Sequence, residues 1–254
     1  MRLIFTFVAG LAVVSASLPD DRVKGFDISV YQERVDFQAC KAAGAEFVIV
    51  KVLDDLARSS RNATEGPTKI DKRFNIHYTG AVKAGLIRGA YHFARPNASS
   101  GSTQAEFFVN HGGRWTADGK TLPGMLALER NPNGRNYCYG LSHIAMVAWI
   151  NDFVLAYQTY TGRYPMIFCT LKWWLRCTGN HAGFGHLPLV ISKFNDVVGI
   201  LPAGWGHHEI WQYSDKSRYS GLADLFNGNI IALQRLVDGV LVSEGDYNGT
   251  ESTL

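Results

Sequence analysis

Short, mainly apolar runs punctuate the chain, alternating with helix-patterned segments over its first two thirds, and few architectures accept such a string. The runs are Val23 to Val30, Glu46 to Leu53, Leu86 to Ala94, Leu122 to Glu129, Pro165 to Thr170, Pro188 to Phe194, Glu209 to Tyr213 and Leu222 to Phe226. Helical spacing is expected over Gln32 to Ala42, Asp71 to Ala84, Thr103 to His111 and His143 to Tyr160, with Gly44, Gly85 and Gly162 standing where helices stop. Strand followed by helix, repeated, implies a parallel sheet with both faces covered. Eight candidate strands in 254 residues, 46% of them hydrophobic, imply one closed α/β barrel. Few helical residues are expected after Thr170, so the barrel should be irregular in its last third.

The stretch from Leu122 to Gly134, LPGMLALERNPNG, is the most informative of these runs. It reads as a buried strand that ends on Glu129 and then turns at Asn-Pro-Asn-Gly. A carboxylate there stands at the rim where barrel enzymes keep their chemistry. Side chains alternate along a strand, so Met125, Ala127 and Glu129 share one face. If the strands are parallel, the same rim gathers Asp27, Asp54, Asp55 and Asp224. Clustered carboxylates shift one another's proton affinity, so that one stays protonated while another is ionised, as glycosidic bond cleavage requires. Tyr31, Tyr91, Trp173, Trp174, Trp211 and Tyr213 also fall near predicted strand ends and could stack on sugar rings.

Other classes lack their signatures. The eight histidines form no zinc spacing, and there is no GxSxG, GxGxxG or Walker sequence, so no metal or cofactor is expected. The formal charge of +3 is not concentrated in a basic stripe, which argues against nucleic acid as a partner. Arg2, the apolar run Leu3 to Val14 and the small residues Ser15, Ala16 and Ser17 follow the order of a secretory signal peptide, so residues 1–17 are read as a leader and residues 18–254 as a single secreted domain. The run is too short for the about 20 residues of a membrane span. Sequons at Asn62, Asn97 and Asn248 fit that compartment as glycosylation sites. Four cysteines allow three full pairings. Cys138 and Cys177 lie in polar loop sequence while Cys40 and Cys169 lie in apolar runs, which favours one disulfide, Cys138 to Cys177, over two.

The series GFDISVYQ (Gly25 to Gln32), AGLIRGAYHFARP (Ala84 to Pro96), LPGMLALERNPNG, CYGLS (Cys138 to Ser142), WWLRCTGN (Trp173 to Asn180), LPAGW (Leu201 to Trp205), WQYSD (Trp211 to Asp215) and ADLFNG (Ala223 to Gly228) resembles the secreted fungal-type lysozymes of glycoside hydrolase family 25. The resemblance implies an irregular TIM-like barrel of the (β/α)5β3 kind, a monomer, and N-acetylmuramidase activity on bacterial peptidoglycan. It assigns catalytic roles to Asp27, Glu129 and Asp224, with Glu129 as the proton donor, places Tyr31, Tyr91, Ala127, Trp211 and Tyr213 along the glycan, and agrees with the Cys138 to Cys177 pairing. Where the family has Asp-x-Glu, this chain reads Ala127-Leu128-Glu129, and a strand-five tyrosine is replaced by Phe168. The segment after the second strand has drifted as well, to Lys51-Val52-Leu53-Asp54-Asp55. These departures imply impaired catalysis, or a glycan-binding protein that has lost turnover.

Overall fold

The computed structural model describes residues 22–52, 70–132, 134 and 136–239. Eight strands close into one barrel in sequence order: β1 (Lys24–Ile28), β2 (Ala45–Lys51), β3 (Ile87–Phe93), β4 (Met125–Leu128), β5 (Met166–Cys169), β6 (Leu189–Ser192), β7 (Ile210–Ser214) and β8 (Leu222–Phe226). Neighbours from β1 through β7 pair in parallel. β8 runs antiparallel to both β7 and β1, which corrects the expectation of a wholly parallel set. The connection from β7 to β8, residues 215–221, is too short for the long crossover that a parallel neighbour would need.

Helices follow each of the first five strands: α1 (Phe37–Ala42), α2 (Phe74–Lys83), α3 (Gly101–Phe108), α4 (His143–Thr161) and α5 (Leu171–Thr178). The (β/α)5β3 order is thus complete. Caps set the boundaries. Asp36 accepts from the Ala39 amide and starts α1 late, after Arg34 and Val35, while Ser100, Ser142 and Thr170 cap α3, α4 and α5 in the same way. α3 runs on into a turn, Val109–Gly113, where the helical backbone breaks at His111 and Gly112.

Two helices stand where few helical residues were expected. α5 buries Trp173, Trp174 and Cys177 on one side, so the segment read as polar loop around Cys177 is an amphipathic helix whose charged residues, Lys172 and Arg176, face out. A sixth helix, α6 (Ile230–Asp238), is capped by Asn229 and ends at Gly239. Its inward residues Ala232, Leu233, Leu236 and Val237 join Val23, Phe47, Ile87, Met125 and Phe226 in a single apolar cluster inside the barrel. That cluster stoppers the end of the barrel opposite the strands' carboxyl ends. The larger core lies between the strands and the surrounding helices, around Phe26, Leu126, Phe153, Tyr157 and Ile167.

Cys138 and Cys177 form the disulfide and tie the loop before α4 to α5. Cys40 and Cys169 are buried thiols. Residues 1–17, Asp54, Asp55, Asn62 and Asn248 lie outside the described residues, and Asn97 is exposed. No described helix is long and apolar enough to cross a membrane.

Candidate active site

Strand alternation sorts the barrel interior into two levels. Toward the stoppered end the inward positions are apolar: Phe47, Ile87, Met125, Met166, Ile210 and Phe226. At the open end the same faces carry Asp27 on β1, Lys51 on β2, Tyr91 and Phe93 on β3, Ala127 and then Glu129 on β4, Phe168 on β5, Ser192 on β6, Gln212 on β7 and Asp224 on β8. β8 is reversed, so its first half lies at the open rim. Asp224 consequently sits in register with Gly25 of β1 and Gln212 of β7. A side chain at Gly25 would collide with the Phe47 ring, which fills the space below the acids.

Asp27 and Asp224 are both buried, at 7% and 2% exposure. Gln212 Nε2 donates to Asp27 Oδ2 at 2.7 Å, and Ser192 Oγ donates to Gln212 Oε1 at 2.7 Å, which fixes the amide's orientation. Asp224 Oδ1 is buried without a hydrogen-bond partner. Burial pushes the Asp27 carboxyl up to about 7, against the Gln212 bond and with help from the charge of Glu129. Burial and the Asp27 charge raise Asp224 as well. The two acids thus favour a state in which at least one holds a proton.

Glu129 is half-buried at the end of β4. Desolvation raises its carboxyl, opposed by the positive charges of Lys51 and Arg130. Tyr91 bonds the Ser29 side chain and is held neutral well above its usual range, first by burial and then by the charges of Asp27, Glu129 and Asp71. Asp71, itself buried, accepts from the Val30 amide at 2.7 Å and so anchors the loop that carries Tyr31. A raised acid facing a buried carboxyl pair across a neutral phenol matches the division of labour in glycosidic cleavage, one group to donate a proton and others to meet developing positive charge.

Ala127 is 1% exposed. Its register neighbours are Phe93 on β3 and Phe168 on β5, so the face that leads to Glu129 is apolar on three adjacent strands.

The aromatic residues divide. Tyr91 joins the acids, and Tyr31 stands 75% exposed beyond β1. Trp211 lies on the β7 face turned away from Gln212, with its indole N–H on the Lys193 carbonyl at 2.8 Å, and Tyr213, half-buried, leans on it with centroids 5.7 Å apart. Trp173 and Trp174, at 1% and 0% exposure, are core residues and offer no face to a sugar, because α5 turns them inward. Lys51, Gln212, Ser192 and Asp71 were not singled out as site residues from the sequence. Gln212 could have been found from alternation, since it shares the inward face with Ile210.

A family model described as glycosyl hydrolases family 25 matches residues 26–222, a span that runs from Asp27 through Glu129 and Gln212 and stops just short of Asp224. The chain belongs to this family. It is 43% identical over 247 residues to an N,O-diacetylmuramidase of Arthroderma benhamiae, covering 94% of this chain and all of that one. It is 40% identical to lysozyme M1 of Streptomyces globisporus, covering 85% of this chain and 71% of the other. Among solved structures, a family GH25 lysozyme from Aspergillus fumigatus superposes with a TM-score of 0.80 at 50% identity, covering 86% of this chain and all of that one. The expectation of a glycosidase of the lysozyme type is therefore met, and so is the irregular barrel. Asp27, Glu129 and Asp224 stand at the same open end of the barrel, and Ala127 shares its strand face with Glu129.

Proposed function

We propose that this family 25 protein is a secreted, monomeric muramidase of reduced catalytic power, acting on the β-1,4 bond between N-acetylmuramic acid and N-acetylglucosamine in bacterial peptidoglycan, with residues 1–17 as its leader. The observation that carries the reading is the raised Glu129 carboxyl at the open rim, facing the Asp27 and Asp224 pair.

In this reading the protonated Glu129 gives its proton to the glycosidic oxygen as the bond to the anomeric carbon breaks. The substrate's own acetamido oxygen closes on that carbon, and Asp27 with Asp224 meets the positive charge. Water then opens the ring intermediate and returns a proton to Glu129. Tyr91 sits between the two sets of acids as a neutral hydrogen-bonding group, and Tyr31 and Tyr213 extend along the glycan. An acid at position 127 would orient the acetamido group; a methyl group cannot. Losing such an electrostatic group costs about 10²- to 10³-fold in rate.

The apolar flank of Ala127, with Phe93 and Phe168 beside it, favours a second reading in which the groove binds glycan without efficient turnover. Purified protein assayed on peptidoglycan beside Glu129→Gln and Ala127→Asp decides between them. Slow release of reducing ends by the wild type, abolished in Glu129→Gln, supports the enzyme. Equal inertness of both, with retention on insoluble peptidoglycan, supports the binder. Absence of both turnover and retention removes both readings.

A further inference from the structure

Past β6 the chain does not leave the rim at once. Lys193 N–H donates to the Gln212 carbonyl at 3.0 Å and carries the pairing with β7 one residue beyond the strand, while the Lys193 carbonyl accepts the Trp211 indole N–H at 2.8 Å. Backbone held in this way keeps the alternation of a strand. Val190 belongs to the apolar cluster inside the barrel and Ser192 bonds Gln212, so both face inward, and Phe194 is the next residue on that face. β4 is built alike, with Ala127 inside and Glu129 just past its end. Register runs from Ala127 through Phe168 to Val190, which sets Glu129 and Phe194 on one wall of the cleft, two strands apart.

The segment that follows turns its apolar residues both ways. Val198 and Leu201 pack against the outer core. Phe194, at 52% exposure, and Val197 and Ile200, more exposed still, stand in water. Gly199 takes φ 73°, and a side chain there would meet Lys193 Nζ, so the segment folds back on its own start and keeps the three apolar groups within one compact turn. Leaving them in water forgoes the free energy of their burial, and apolar groups gathered beside a polar cleft mark a binding surface. An aromatic ring at the mouth of such a cleft suits a sugar, which carries hydroxyls round its edge and C–H groups on its face.

We propose that Phe194 is a stacking platform for a sugar of the glycan strand where that strand leaves the cleft on the β6 side, with Val197 and Ile200 as the apolar ground around it. The occupant is the strand on which Glu129 and the Asp27 and Asp224 pair act, because the platform continues the wall that carries Glu129. Naming that strand as peptidoglycan rests on the muramidase reading, while the stacking itself is read without turnover.

Phe194→Ala, Phe194→Leu and Phe194→Trp are compared with the wild type, each checked by circular dichroism. On soluble peptidoglycan fragments KM is expected to rise about three- to tenfold in Phe194→Ala and Phe194→Leu, the range of one aromatic contact, and to return in Phe194→Trp, with kcat held within about twofold throughout. Melting temperatures should stay together, since truncating an exposed ring leaves no cavity. In a Glu129→Gln background, which removes turnover, sugar C–H resonances of the same fragments should move upfield on binding when residue 194 is Phe or Trp and not when it is Leu. An unchanged KM in Phe194→Ala, a Phe194→Leu that matches the wild type, or sugar resonances indifferent to residue 194 overturns the proposal. So does a Phe194→Ala whose one change is loss of self-association in ultracentrifugation, or of retention on vesicles of phosphatidylcholine and phosphatidylglycerol. A wild type without turnover whose bound fragments still shift against Phe194 overturns the muramidase reading and upholds the platform; a wild type that takes up no fragment overturns both.

Discussion

Gln212 and Asp27, 185 residues apart, meet through a 2.7 Å hydrogen bond that joins the seventh strand to the first across the eighth. The amide cannot swing away, because Ser192 holds its oxygen. This bond is the main force that lowers the Asp27 carboxyl against its burial. Gln212→Leu is therefore expected to raise Asp27 further above 3.8, its ordinary value. Carboxyl 13C NMR titration reads the shift directly, and turnover at neutral pH should fall about tenfold, the scale of one hydrogen bond to a charged group. An Asp27 titration unmoved by the substitution would mean that the bond does not govern its charge.

Ala127→Asp places a second carboxylate about 7 Å from Glu129 along the same strand face. Two changes are expected together. The rate on peptidoglycan should rise by about 10²- to 10³-fold, and the alkaline limb of the pH profile should move to higher pH, since a like charge makes Glu129 harder to ionise. A rise in rate without a move of the limb would separate orientation of the substrate from tuning of the donor.

Lys51→Met acts on the same acid from the other side. Lys51 is the foremost force opposing the desolvation of Glu129. Its removal should raise the Glu129 carboxyl and extend the protonated donor to higher pH, visible as the same displacement of the alkaline limb in a protein whose position 127 is untouched.

Asp224→Asn addresses stability. Asp27 is raised from its ordinary value to about 7 and Asp224 is raised well above its own, so the native state holds more protons than the unfolded chain above about pH 4, for Asp27 up to about pH 7. Their contribution to stability is complete below the unfolded value and is lost as pH rises through the folded values. Wild-type melting temperature should accordingly fall from pH 5 to pH 8. In Asp224→Asn that slope should be shallower, with a gain at pH 8 of about 2–4 °C per kcal/mol recovered, and turnover should be lost. Differential scanning calorimetry across the pH range checks it; parallel slopes for the two proteins would contradict the paired titration.

The sequence made the barrel legible because β1 to β5 are short, mainly apolar and separated by helices, most of them capped, and each of those features is local. Leu222 to Phe226 was legible to the residue. Its direction was not, because a strand's orientation depends on the length of the connections around it and on its two neighbours. α5 was hidden by its own composition: two tryptophans and a cysteine read as loop until one face is seen to be buried. The acids at strand ends stood out once alternation turned them inward, whereas Gln212 and Lys51, which alternation turns inward as well, did not, since an amide or a lysine in a strand looks like an ordinary polar break until its partner across the barrel is known.

The reversed eighth strand sends the chain away from the acids and into α6, and Val23 and Gly228 exchange backbone contact at that same end, with Val23 N–H on the Gly228 carbonyl at 3.3 Å. The start and finish of the barrel are thus moored together on the side turned away from the cleft. A binding module, a tether or a reporter joined at either end of the domain would hang behind it. The catalytic face would remain free to lie flat against a wall of cross-linked glycan, and a circularly permuted form that joins the two ends should keep the same face open.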